Sequence, residues 1–109
     1  MRVWLIGADE DAINALHQLR KNSDIEIIIS ASEETPLAVQ KGVLDKVHFV
    51  ETVTQVNINQ LAHRVRPDLI LIDPAEGKRS YGWVDGGMVL ADALVHEIAR
   101  SSDYPCLVL

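Results

Sequence analysis

The sequence predicts an α/β fold built on one parallel sheet, and three observations carry that expectation. Five apolar runs of strand length alternate with four segments of helical periodicity. Several runs are continuously apolar and β-branched, as strands covered on both faces are. The resulting order, β-α-β-α-β-α-β-α-β, needs right-handed crossovers that place helices on both sides of the sheet.

The strand-like runs are 3–6, 25–29, 47–50, 69–72 and 106–109. In the first helix Ala12, Ala15, Leu16 and Leu19 form one apolar stripe. Asp9, Glu10 and Asp11 stand at its start and Arg20 and Lys21 at its end, matching the helix dipole. The second helix is short: Thr35-Pro36 opens it and Gly42 can stop it. The third buries Ile58, Leu61, Ala62 and Val65, with Asn57 or Asn59 as cap and Pro67 beyond its end. The fourth runs from about Gly87 to Arg100 with Leu90 or Ala91, Leu94, Val95 and Ile98 inward.

These elements predict a three-layer Rossmann-like fold: a five-stranded parallel sheet in the order 3-2-1-4-5, helices on both faces, as a single domain over residues 1–109. In that order a crevice opens between strands 1 and 4 at their C-terminal ends. Gly7 and Asp73 should meet there, on loops 7–11 and 73–87.

Composition narrows the function classes. A formal net charge of -6 opposes general binding to nucleic acid, which needs clustered Lys and Arg, and opposes docking on anionic lipid. No apolar run is long enough to span a membrane, and the opening run is shorter than a secretory leader requires, so a cytoplasmic protein is expected. One cysteine, Cys106, excludes an internal disulfide and reads as a small buried hydrophobe. His17, His48, His63 and His96 lie on separate elements without ligand spacing. The fifth strand leaves an apolar sheet edge, which suggests a homodimer or a domain cut from a longer chain.

The turn after strand 1 carries the main functional question. A dinucleotide-binding turn reads G-x-G-x-x-G/A, and the corresponding places here hold Gly7, Asp9 and Ala12. Asp9 puts a negative side chain where a pyrophosphate would lie; the plain alternative is that Asp9 to Asp11 cap and charge the helix. Ser30 stands where the ribose-binding acid should be, with Glu33 and Glu34 beyond it. Candidate cofactor-binding residues are therefore Gly7, Ala8, Asp9, Ser30, Asp73, Lys78, Arg79 and Trp83, for NAD(P) or an adenine nucleotide. Asp9, Asp11 and Asp73 could instead hold Mg²⁺, or Asp73 could simply cap the turn before Pro74. In the loop "DPAEGKRSYGWVDGG", Lys78 and Arg79 can neutralise an anion, Tyr81 or Trp83 can stack on a ring, and Gly77, Gly82, Gly86 and Gly87 allow a lid; the alternative is a solvated loop with Trp83 turned to the core. No nucleophile elbow, Walker A loop or H-E-x-x-H is present, so no catalytic residue is assigned.

The segments "RVWLIGADEDAINALHQLR", "TPLAVQKGVLDKVHFVETV" and "GGMVLADALVHEIARSSDYPCLVL" resemble parts of the TrkA-N (RCK N-terminal) NAD-binding domains, which regulate potassium transport. The resemblance implies a regulatory domain, often dimeric, that senses NAD(H) or adenine nucleotides without turning them over. Asp9 replaces that family's second glycine and Ser30 its ribose acid. A second resemblance is to response-regulator receiver domains, through "RPDLILIDPAEG", the following "DGG" and the acids 9–11. It implies Mg²⁺ and a phosphorylated Asp73. Receivers carry that aspartate on the third strand, however, and a lysine at the end of the fifth. The expectation from sequence is a non-catalytic ligand-sensing or regulatory domain with a degenerate nucleotide-binding turn. A receiver-like module, or a dimerisation module without small ligand, stands as the alternative.

Overall fold

β1 (Arg2–Ile6) is the middle strand of the sheet, and every other element is placed by it. The computed structural model describes residues 1–77 and 87–109. Within them follow α1 (Glu10–Leu19), β2 (Glu26–Ala31), α2 (Leu37–Gln40), β3 (Phe49–Val50), α3 (Ile58–Val65), β4 (Leu69–Ile72), α4 (Gly87–Ser101) and β5 (Cys106–Val108). The strands form one all-parallel sheet in the order β3-β2-β1-β4-β5, the Rossmann-like order expected from the sequence.

Alternation along β1 divides the core. Val3 and Leu5 face one side, where they pack with Ala12, Ile13 and Leu16 of α1 and Ala38 of α2. Trp4 and Ile6 face the other, among Ile58, Leu61 and Ala62 of α3 and Val95 and Ile98 of α4. Full burial of a side chain such as Leu5 or Ile70 contributes about 2 kcal/mol. Trp4 is wholly buried; its indole N–H donates to Ser30 Oγ at 3.0 Å, so its one polar atom is satisfied. Among the described residues no helix is long and apolar enough to cross a membrane.

The departures from expectation have local causes. β3 is only two residues long because His48 takes over the pairing before it. The His48 N–H donates to Ile29 O at 2.8 Å, while the Ile29 N–H donates to the ring Nδ1 of His48 at 2.9 Å. β2 runs two residues further than its apolar run, so Ser30 lies inside the strand. Ala91 faces inward from α4 and Leu90 is exposed. Asn57 stands before α3, but its carboxamide oxygen accepts from the Thr54 N–H instead of capping the helix. Asn59 donates to Ser101 O and accepts from the Asp103 N–H, tying α3 to the end of α4. α3 stops at Arg66, which adopts a left-handed conformation (φ 55°) immediately before Pro67.

Candidate functional site

The crevice between β1 and β4 begins at Gly7. In register, Ile6 lies beside Ser30 of β2 and Ile72 of β4, so the chain leaves β1 flanked by both neighbours. Gly7 has φ +96°, a conformation in which a side chain is strained. A Cβ there would also lie 2.8 Å from both Asp73 Cβ and Glu76 Cγ. The space that Gly7 leaves is therefore filled by the protein itself. The Gly7 N–H donates to Ser30 O at 2.7 Å, and the Ala38 N–H of α2 donates to Ala8 O at 2.9 Å. Ala8 is buried, and its carbonyl ties the turn to α2.

Asp73 organises the rest. It follows β4, its N–H donates to Ile6 O at 2.8 Å, and its side chain is only 1% exposed. Oδ2 accepts from the N–H groups of Asp9 (3.2 Å) and Ala12 (2.9 Å), and Oδ1 accepts from the Ala75 N–H (2.9 Å). The Glu10 N–H donates to Asp9 Oδ1 at 2.9 Å. A helix begins with four N–H groups that lack intrahelical partners, and these donors are what make its N-terminus an anion site. In α1 those of Asp9, Glu10 and Ala12 already end on carboxylates of this chain.

Burial pushes the Asp73 carboxyl above its ordinary value; hydrogen bonds from Ala75 and Ala12 pull it back, and the negative charges of Asp9 and Asp11 add to the rise. The carboxylate thus takes up the donors at the start of α1 in a setting that resists its charge. Glu76 and Gly77 donate back to Asp73 O and Pro74 O, so the segment after β4 turns helically at 75–77 where a loop is expected. Gly77 is buried against α4, with the Ala91 carbonyl 2.3 Å from where a Cβ would stand, so close packing requires glycine there; Gly82 and Gly86 lie outside the described residues.

The sequence-derived residues divide accordingly. Gly7, Ala8, Asp9 and Asp73 do meet at one rim. Ser30 does not face it: the residue is wholly buried on the α3 and α4 side, where its hydroxyl accepts from Trp4. Lys78, Arg79, Tyr81 and Trp83 lie outside the described residues. Asp9 and Asp11 are near enough to raise the Asp73 carboxyl, yet among the described residues no three His, Cys, Asp or Glu side chains are grouped to hold a metal ion. Burial pushes the Cys106 thiol up to about 11, well removed from a reactive thiolate.

One feature of the surface had no signal in the sequence. A groove of about 400 Å³ lies between α3 and the β2–β3 edge, with Ile28, Phe49, Leu61 and Val65 below and Arg2 and Arg64 at its rim. Its residues come from four separate elements, β1, β2, β3 and α3, with Glu51 beyond β3, and no motif joins them. Comparison with protein-family models, curated proteins and solved structures found no match to the chain.

Proposed function

We propose that this protein is a non-catalytic regulatory domain. It keeps the dinucleotide-binding architecture and holds its own Asp73 carboxylate where a pyrophosphate would lie. One observation carries the reading: the α1 N–H groups of Asp9 and Ala12, which a bound phosphate would need, donate to Asp73. Any nucleotide sensed at this rim has to displace Asp73 or bind without those donors. The resemblance to TrkA-N domains supports a regulatory role. On this reading the domain is a cytoplasmic homodimer with no affinity for nucleic acid, its net charge of -6 opposing that partner.

Titration calorimetry with NADH, NADPH, ATP and AMP, with and without Mg²⁺, tests the proposal. The wild-type chain gives no saturable heat at millimolar ligand. The double variant Asp9→Gly, Asp73→Ser frees the donors and gains measurable affinity for NADH or inorganic phosphate. Saturable NADH binding by the wild type at micromolar concentration would overturn it. A second reading, the receiver-like one, is favoured by the proximity of Asp9 and Asp11 to Asp73, since a divalent cation would relieve their repulsion. Acetyl phosphate labelling that disappears in Asp73→Asn would establish that reading instead.

A further inference from the structure

β3 is held to β2 by a side chain as well as by backbone. The His48 N–H donates to Ile29 O (2.8 Å), and the Ile29 N–H donates to the His48 ring at Nδ1 (2.9 Å). The ring thus stands in for a backbone carbonyl in the ladder. Alternation breaks around it: Val47 is buried in the α1 and α2 layer, whereas Phe49 packs in the α3 and α4 layer, its ring 6.0 Å from that of Trp4. Regular pleating would put residues 47 and 49 on one face. Beyond His48 the ties are few. Phe49 and Val50, opposite Ser30 and Ala31, are the whole of β3, and the Glu51 N–H donates to Ala31 O at 2.9 Å. The same three residues, Phe49, Val50 and Glu51, line the groove beside α3.

A hydrogen bond accepted at Nδ1 fixes the chemistry of the ring. A neutral imidazole accepts at one nitrogen and donates at the other, so the His48 proton sits on Nε2. An imidazolium donates at both nitrogens and accepts at neither. Protonation therefore sets a hydrogen on Nδ1 against the Ile29 N–H, two donors across a 2.9 Å contact. Ile29 is buried, so its amide regains a partner only when water enters the edge. The charged groups around the ring come from several segments. Glu34, in the connection after β2, lines the same hollow as Asp45 and Lys46 of the chain before β3, and all three are exposed; Glu51 stands just beyond β3. β2 carries no charged side chain from Ile27 to Ala31. These charges influence how readily the ring takes up a proton, but none of them lets a protonated Nδ1 accept.

We propose that His48 is a pH-sensitive clasp on the β2–β3 edge. The neutral ring holds residues 47–50 on β2; protonation releases them and opens the groove at Phe49. Histidine is the residue type whose charge ordinarily changes near neutral pH, so acidification is the signal that this contact can register. The clasp operates whatever the β1–β4 rim binds.

Amide and imidazole NMR of the full chain, titrated from about pH 8 to about pH 5, tests this. At the upper end the His48 ring is the Nε2–H tautomer, with a scalar coupling across the hydrogen bond from the Ile29 nitrogen to Nδ1. As the ring charges, that coupling vanishes. The exchange protection of the Ile29 and Glu51 amides then falls at least tenfold, with the midpoint of the His48 ring, while the Val3 and Leu5 amides keep theirs. In His48→Asn, whose side chain does not titrate, the protection of Ile29 and Glu51 no longer changes with pH. An Nδ1–H ring at the upper end overturns the proposal. So does an Ile29 amide that stays protected once the ring is charged, and so does a loss of protection in His48→Asn with the wild-type midpoint, which would assign the effect to another group.

Discussion

Two regions of the same sheet treat their exposed backbone in opposite ways. At the β1–β4 crevice, where an open α/β sheet ordinarily receives its ligand, the donors of α1 are satisfied from within by Asp73. At the β5 edge, Cys106 and Val108 turn their backbone groups away from β4, where no partner for them lies among the described residues, and Leu107 is 60% exposed. Among the described residues, the donors of the crevice are taken up and those of the edge are not. A fold class therefore does not determine where its binding capacity lies; the hydrogen-bond partners of the termini and edges do.

The largest effect is expected where the crevice is filled most tightly. Gly7→Val combines a strained backbone angle with a Cβ 2.8 Å from Asp73 Cβ, and urea denaturation should show a loss of about 4 kcal/mol. A loss below about 1 kcal/mol would mean that the turn is looser than its contacts imply.

Asp73→Ala comes next. It leaves three buried or half-buried N–H groups without their acceptor, and removal of a carboxylate that burial disfavours offsets part of that loss. About 2–3 kcal/mol should remain by urea denaturation. The pH dependence has a definite sign. Because the folded state raises the Asp73 carboxyl above 3.8, the native protein holds this proton more tightly than the unfolded chain does. The stability linked to it is fully present below 3.8 and is lost as pH rises through the folded value. The stability of wild type minus that of Asp73→Asn should therefore fall as pH rises through that window. A rise with pH would place the shift in the opposite direction.

Ser30→Ala is a smaller test of the inner side of the same region. It leaves the buried Trp4 indole N–H unpaired, at about 1–2 kcal/mol in thermal or urea unfolding. Were Ser30 a ribose contact at the rim, the substitution would be nearly neutral. The smallest effect belongs to the open edge. Leu107→Arg, measured in dilute solution, should change the stability of the monomer by no more than about 0.5 kcal/mol, because the side chain it replaces is already solvated.

Strand order, both helix-bearing faces and the meeting of Gly7 with Asp73 were legible because apolar runs and helical stripes are local patterns with known connection rules. The role of Asp73 was legible only as a choice between a cap and a ligand group. Its partners, Asp9 and Ala12, stand 64 and 61 residues away in the chain, and no spacing rule joins them. The partner of Ser30 was hidden for a related reason. β2 continues through it to Ala31, and strand parity then turns its hydroxyl to Trp4 and away from the rim. His48 gave no signal either, since an imidazole that substitutes for a backbone acceptor follows no sequence pattern.

The most direct test of the filled crevice is a two-dimensional amide NMR titration, first against pH and then against NADH. The amides of Asp9, Ala12 and Ala75 should move together with one midpoint above the ordinary value of an aspartate, and should not respond to NADH. Saturable NADH shifts centred on Gly7 to Ala12, with no common pH midpoint, would show that those donors are free for a ligand and that Asp73 does not hold them.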